Sequence, residues 1–237
     1  MTGDLTRSVS PLRVATAGAL AAWAGVFWFL LISGRTSLYL SSRTAWVVPT
    51  GAIVLTVAAA GRLATLRAPR PERLSARTSW TVGFIVLPAA IVLALPPTAL
   101  GSYAASRRSL SAGFAGAAAI EPGDRVTLAA VAAGVWSDQA RRALVERAGS
   151  RVTFDGIVTL REGSPADEFV LTRFIVSCCV ADALSVQVRV VGAPPGRFEE
   201  DQWVRVSGTF YPVGREVVVD ASAVRPIPQP QDPYLNV

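Results

Sequence analysis

Cys178 and Cys179 are the only cysteines in the chain, and histidine does not occur at all. Any chemistry of sulfur or imidazole type therefore passes through this one pair. Asp182 follows within a turn's length, and Arg173 precedes on the same stretch. Thiolates are soft donors suited to zinc or copper(I), and a carboxylate can supplement them. Cys178, Cys179 and Asp182 are accordingly the candidate ligands for a divalent metal such as zinc. A closed structural zinc site takes four donors, so two sulfurs and one near carboxylate leave it short. The remaining donors would come from a distant carboxylate, a partner or a second copy. Consecutive strand residues also point to opposite faces. Both sulfurs reach one ion only if the chain turns there, and Val180-Ala-Asp-Ala183 can supply that turn.

Two other readings of the pair stand beside the metal one. Unpaired cysteines are often small buried hydrophobes, and neighbouring cysteines can close a strained, reducible disulfide. Thiol exchange is the third, although the Cys-x-x-Cys spacing of thioredoxin-like sites is absent. Arg173 and Asp182 are expected to form a salt bridge bracing the turn, and Trp203 to cover the core of the domain. No Ser-His-Asp set can exist without histidine, and no glycine-rich phosphate loop ends in lysine. The chain reads as a non-enzyme with no assured cofactor.

The elements that position these residues fall into two halves. Three long uncharged runs occupy the first, at about 14–32, 44–61 and 80–100. A bilayer crossing takes about 20 apolar residues, so 1–101 reads as a transmembrane region. Trp46 and Trp80 lie near span ends, where indole rings favour the interface. Pro88 inside the third run implies a kink whose freed carbonyl needs a donor from elsewhere. Arg62, Arg67, Arg70, Arg73 and Arg77 crowd the loop between the second and third runs, opposed only by Glu72. The excess of arginine places that loop and the N-terminus in the cytoplasm, and everything after the third span outside it. The net charge of +6 thus signals topology and contact with membrane lipid headgroups.

In the second half acidic residues slightly outnumber arginines, which argues against nucleic-acid binding. Residues 102–126 read as a linker and 127–149 as one amphipathic helix ending at Gly149. From there the apolar period becomes two. Five short strands with turn signals between them fill 150–226 and fit an OB-like five-stranded barrel. The proline-rich tail, 227–237, is expected to be extended without secondary structure. The fold class is therefore a membrane α region of three transmembrane helices followed by an all-β, OB-like domain.

The run Arg173-Phe-Ile-Val-Ser-Cys-Cys-Val-Ala-Asp-Ala183 resembles the signature of the YcgQ-type bacterial membrane proteins, which are permease-associated. Asp155-Gly-Ile-Val158, Trp203-Val-Arg-Val-Ser-Gly-Thr209 and the Pro233-Tyr234 dipeptide agree with it. The resemblance implies an accessory subunit of the bacterial plasma membrane beside a YcgR-type polytopic permease, linked to divalent-metal homeostasis. Two alternatives remain: a tethered thiol-redox or metal-handling protein acting alone, and a structural envelope protein whose barrel docks a partner.

Overall fold

A computed structural model describes residues 8–68, 74–95, 98–107, 125–214 and 216–236. The chain divides into two compact units, one formed by the helical N-terminal part and one built on the β region, to which the segment Ser37–Arg43 also belongs.

The first unit contains α1 (Pro11–Ile32), α2 (Val47–Ala64) and α3 (Ala76–Ala94). All three are long and apolar enough to cross a membrane. Pro11 suits the first turn of α1, where its missing N–H costs nothing. Ser75 caps α3 by accepting the Thr78 N–H at 3.2 Å. Few of their residues are buried; in α3 the share is 6%. Large apolar side chains such as Trp80, Phe84, Leu87 and Ile91 stand exposed, an arrangement stable against lipid rather than water.

Contacts among the three helices use their few polar groups. Gly51 of α2 meets the Phe27 ring, where an added Cβ would lie 2.8 Å from Cε1. Trp28 Nε1 donates to Thr56 Oγ1 at 3.0 Å. Trp23 Nε1 donates to the Ile85 carbonyl at 2.9 Å, in the turn that Pro88 disturbs. The carbonyl that Pro88 leaves without an amide donor is that of Phe84, and Trp23 bonds the carbonyl next to it, tying α1 to the kinked turn of α3.

In the second unit, α4 (Ser102–Arg107), α5 (Leu128–Trp136) and α6 (Asp138–Val145) precede five strands. These are β1 (Arg151–Thr159), β2 (Phe169–Val176), β3 (Leu184–Val191), β4 (Trp203–Val213) and β5 (Glu216–Pro226). β1 pairs antiparallel with β2 and β4, β2 with β3, and β4 with β5, while β3 runs parallel to β5. The circuit β1-β2-β3-β5-β4-β1 closes, and it has the connectivity of an OB barrel. Alternation puts Val152, Phe154, Val204, Val206 and Phe210 inside, with Leu128, Val131 and Leu144 packed onto the same core. Gly156 lets β1 approach β2: an added Cβ would lie 2.7 Å from the Thr172 carbonyl oxygen.

Three expectations are corrected. The stretch 127–149 is two helices, not one, because Ser137 leaves helical geometry (φ −119°, ψ 120°). Its hydroxyl then accepts the Ala140 N–H at 3.3 Å and starts α6 afresh. The tail is not free of secondary structure: β6 (Tyr234–Asn236) runs parallel to β2 in the register Phe174↔Tyr234. Trp203 does not cover the barrel core. It is half-buried and packs with Ile157, Phe174, Val176 and Tyr234 in a separate cluster. Of the region read as a linker, Ser102–Arg107 is helical, and 108–124 lies outside the described residues.

Candidate functional site

β2 ends at Val176, the chain bends through Ser177 and Cys178, and a single 3₁₀ turn spans Val180–Asp182. The turn carries Asp182 back beneath the residues just passed. Its Oδ1 accepts the Ser177 N–H at 3.0 Å. Its Oδ2 accepts Cys178 N–H at 2.8 Å and Cys179 N–H at 3.4 Å. Three successive amides thus converge on one carboxylate, and the chain reverses at the pair instead of continuing as strand.

The reversal undoes the alternation that would separate the two side chains. Cys178 Sγ and Cys179 Sγ lie 3.6 Å apart, in hydrogen-bond contact and not joined as a disulfide. The two sulfurs and an Asp182 oxygen all fall within 4.8 Å of one another. Cys178 is exposed, while Cys179 and Asp182 are half-buried. With Zn–S bonds of roughly 2.3 Å, this sulfur separation subtends about 103° at a shared ion, near the tetrahedral angle. Asp182 is a weaker candidate donor, because three of its approximately four lone-pair directions already serve the backbone.

Electrostatics sharpen the distinction between metal capture and thiol exchange. The hydrogen bond to the Asp182 carboxylate, helped by the Cys179 sulfur, pushes the Cys178 thiol up to about 11. Burial opposes ionisation of Asp182, yet the hydrogen bonds from Cys178, Ser177 and Cys179 together hold its carboxyl below the ordinary range. A thiol so raised carries little thiolate near neutrality, which disfavours nucleophilic exchange. A metal ion can still displace the proton.

A strap grips the turn from the other side. Tyr39 O accepts the Val180 N–H at 2.8 Å, and Ser41 N–H donates to Cys178 O at 3.2 Å. Ser41 Oγ donates to Ser177 O at 2.8 Å, and Leu40 bridges antiparallel to Cys179. The strap is part of Ser37–Arg43, the connection between α1 and α2. Sequence reasoning did not find it; the only signal was a short run of mixed polar and apolar residues, Ser-Leu-Tyr-Leu-Ser-Ser42, between two apolar ones.

Arg173 is not part of this cluster, and the expected Arg173–Asp182 salt bridge does not form. Its guanidinium donates to Asp155 O at 3.3 Å, Pro233 O at 3.3 Å and Asp232 O at 2.8 Å. It also lies 5.6 Å from the centroid of the Trp203 ring. Burial, opposed by the nearby Asp155 and Asp232 charges, lowers its pKa. Arg173 and Trp203 thus form a clamp between β1, β4 and the tail, and Asp182 spends its oxygens on amides.

Fold and site together define a protein with three candidate membrane spans and an OB-type barrel bearing a paired-thiol turn. Residues 138–236, from the start of α6 to the end of β6, match the DUF1980 C-terminal domain family, a family with no assigned function. The matched interval contains the whole barrel, the cysteine turn and the tail strand. No curated protein matches the chain.

Proposed function

We propose that this protein is a non-enzymatic accessory subunit of a bacterial membrane permease complex that presents Cys178 and Cys179 as an incomplete thiolate site for a soft divalent metal such as zinc. The observation that carries the reading is the pair of sulfurs, 3.6 Å apart on an exposed turn held by Asp182. Two sulfurs with a preoccupied carboxylate cannot complete a tetrahedral shell. The missing donors come from the protein that receives the metal, so the site suits transfer rather than storage. The resemblance of the cysteine motif to YcgQ-type proteins supports a polytopic YcgR-type permease as that partner. The arginine-rich loop before α3 supports a plasma-membrane orientation with the barrel outside the cytoplasm.

The test uses the full chain in lipid nanodiscs. Zinc titration is expected to give one weak site per chain, weakened at least about tenfold by Cys178→Ser or Cys179→Ser, as loss of a metal–thiolate bond demands. Equal zinc binding by the wild type and both serine variants would overturn the metal reading. Copurification with a polytopic permease, lost when α1–α3 are replaced by unrelated spans, tests the subunit reading separately.

A further inference from the structure

The barrel wall is incomplete at one place. β2 pairs with β1 only over Val170–Thr172, opposite Ile157–Thr159. From Phe174 onward the same edge of β2 is taken by β6, so the first half of β1 runs on without β2. Val158 N–H donates to Gln202 O at 2.9 Å. Period-two alternation then directs the Val152 and Phe154 backbone groups toward β4, and those of Arg151, Thr153 and Asp155 to the opposite edge. Among the described residues no strand pairs with that edge between Arg151 and Asp155. Among the described residues, the Asp155 carbonyl is the one group on that edge with a partner, Arg173.

A groove of about 570 Å³ lies along this edge, within the range of specific ligand sites. Its basic lining comprises Arg125, Arg151, Arg173 and Arg205, against the single acidic residue Asp155. Asp155 is already committed to Arg205 by two hydrogen bonds of 2.7 Å. Between the charges the lining is apolar, formed by the half-buried Leu235 and by the outer edges of the core side chains Leu128 and Phe154. Arginines alone would protect a strand edge from unwanted pairing. A concave groove with an apolar floor goes further, since it offers an incoming strand somewhere to put alternate side chains.

We propose that this groove docks an extended acidic segment of a partner protein, which adds as a strand to the edge of β1 at Arg151–Asp155 and sets carboxylates against Arg125 and Arg151. The free edge is about 17 Å long at roughly 3.4 Å per residue, enough for a segment of about five residues. Acidic side chains alternate with apolar ones in the bound segment, one set facing the arginines and the other the floor. The inference is independent of metal binding at the cysteine turn.

The experiment uses the full chain in nanodiscs of zwitterionic lipid, with a fluorescein-labelled, end-blocked Val-Glu-Val-Glu-Val peptide followed by anisotropy. Saturable binding is expected, with none for the Val-Lys-Val-Lys-Val counterpart. Arg151→Glu and Arg125→Glu, both exposed positions, each weaken binding at least tenfold while leaving the thermal midpoint unchanged. N-methylation of one alternate set of peptide amides abolishes binding, and of the other set has little effect. Absence of saturation, or indifference to both N-methylated sets, would overturn strand addition. Inorganic pyrophosphate binding in the groove as tightly as the peptide would overturn it in favour of a small-anion site.

Discussion

The carboxylate of Asp182 accepts the backbone N–H of Cys178 at 2.8 Å and so acts on that cysteine twice, fixing its backbone and holding its thiol proton. The two effects carry opposite pH signs. The lowered carboxyl contributes stability that is full above the ordinary carboxylate range and lost as pH falls through the lowered value. The raised thiol contributes stability that is full below the ordinary thiol range and lost as pH rises through about 11. The turn is therefore most stable between these limits. Asp182→Asn removes the charge, so the Cys178 pKa drops toward the ordinary value of about 8.5. Alkylation of Cys178 by iodoacetamide at pH 8, followed by mass spectrometry, is expected to accelerate at least about tenfold. An unchanged rate would show that Asp182 does not hold the thiol proton.

Metal uptake at the same turn has its own pH signature. The Cys178 thiol, raised to about 11, must lose its proton before it can bind zinc. Apparent zinc affinity is expected to fall at least about tenfold for each pH unit of acidification below neutrality. Titrations of the full chain at several pH values measure the slope. A flat profile would indicate that Cys178 is not a ligand.

The barrel was legible in the sequence because its strands alternate cleanly: Val152, Phe154 and Gly156 on β1, and Val204, Val206 and Gly208 on β4, announce period two. The apolar helices were equally plain, since runs of that length have few other uses. What the sequence hid were relationships set by tertiary contact. Ser137 looks like an ordinary polar residue in a helix until its hydroxyl is seen to restart one. The tail strand carries no apolar period of its own and exists because β2 offers it an edge at Phe174. Arg173 and Asp182 are close in sequence and opposite in charge. The 3₁₀ turn nevertheless aims the carboxylate at amides, while the gap between β1 and β6 gives the guanidinium three carbonyls. The cysteine turn itself was foreseeable as a requirement of two sulfurs meeting, but not the strap that grips it.

Arg173 spans that gap with a planar fork that one ammonium group cannot imitate. Arg173→Lys can satisfy one of the three carbonyls at Asp155, Asp232 and Pro233 and gives up the stacked geometry over Trp203. Each lost hydrogen bond to a charged donor costs about 1.5–3 kcal/mol. Hydrogen exchange is expected to quicken at Tyr234–Asn236 by at least about tenfold, with β3 amides unaffected because they belong to the intact part of the barrel. Uniform quickening of all strands would mean that Arg173 supports global stability and not the local clamp.

Tyr234 shows why the terminal Pro-Tyr dipeptide matters. Its ring is 5% exposed and packs with Phe174 and Val176. Its hydroxyl accepts the Leu100 N–H at 3.2 Å and donates to Leu38 O at 3.4 Å. One side chain therefore joins the tail to the strap and to the segment entering α4. Tyr234→Phe keeps the packing and removes both bonds, leaving a backbone donor and acceptor without their partner. The expected cost is about 1–3 kcal/mol, concentrated where the bonds were. Protease sensitivity is expected to rise at the strap, Ser37–Arg43, before the barrel strands open. Because the strap holds Val180 and Cys178 through backbone hydrogen bonds, Cys178 alkylation should also quicken in this variant, although Tyr234 touches neither sulfur. Faster strap cleavage with unchanged Cys178 reactivity would show that the turn is held by Asp182 alone.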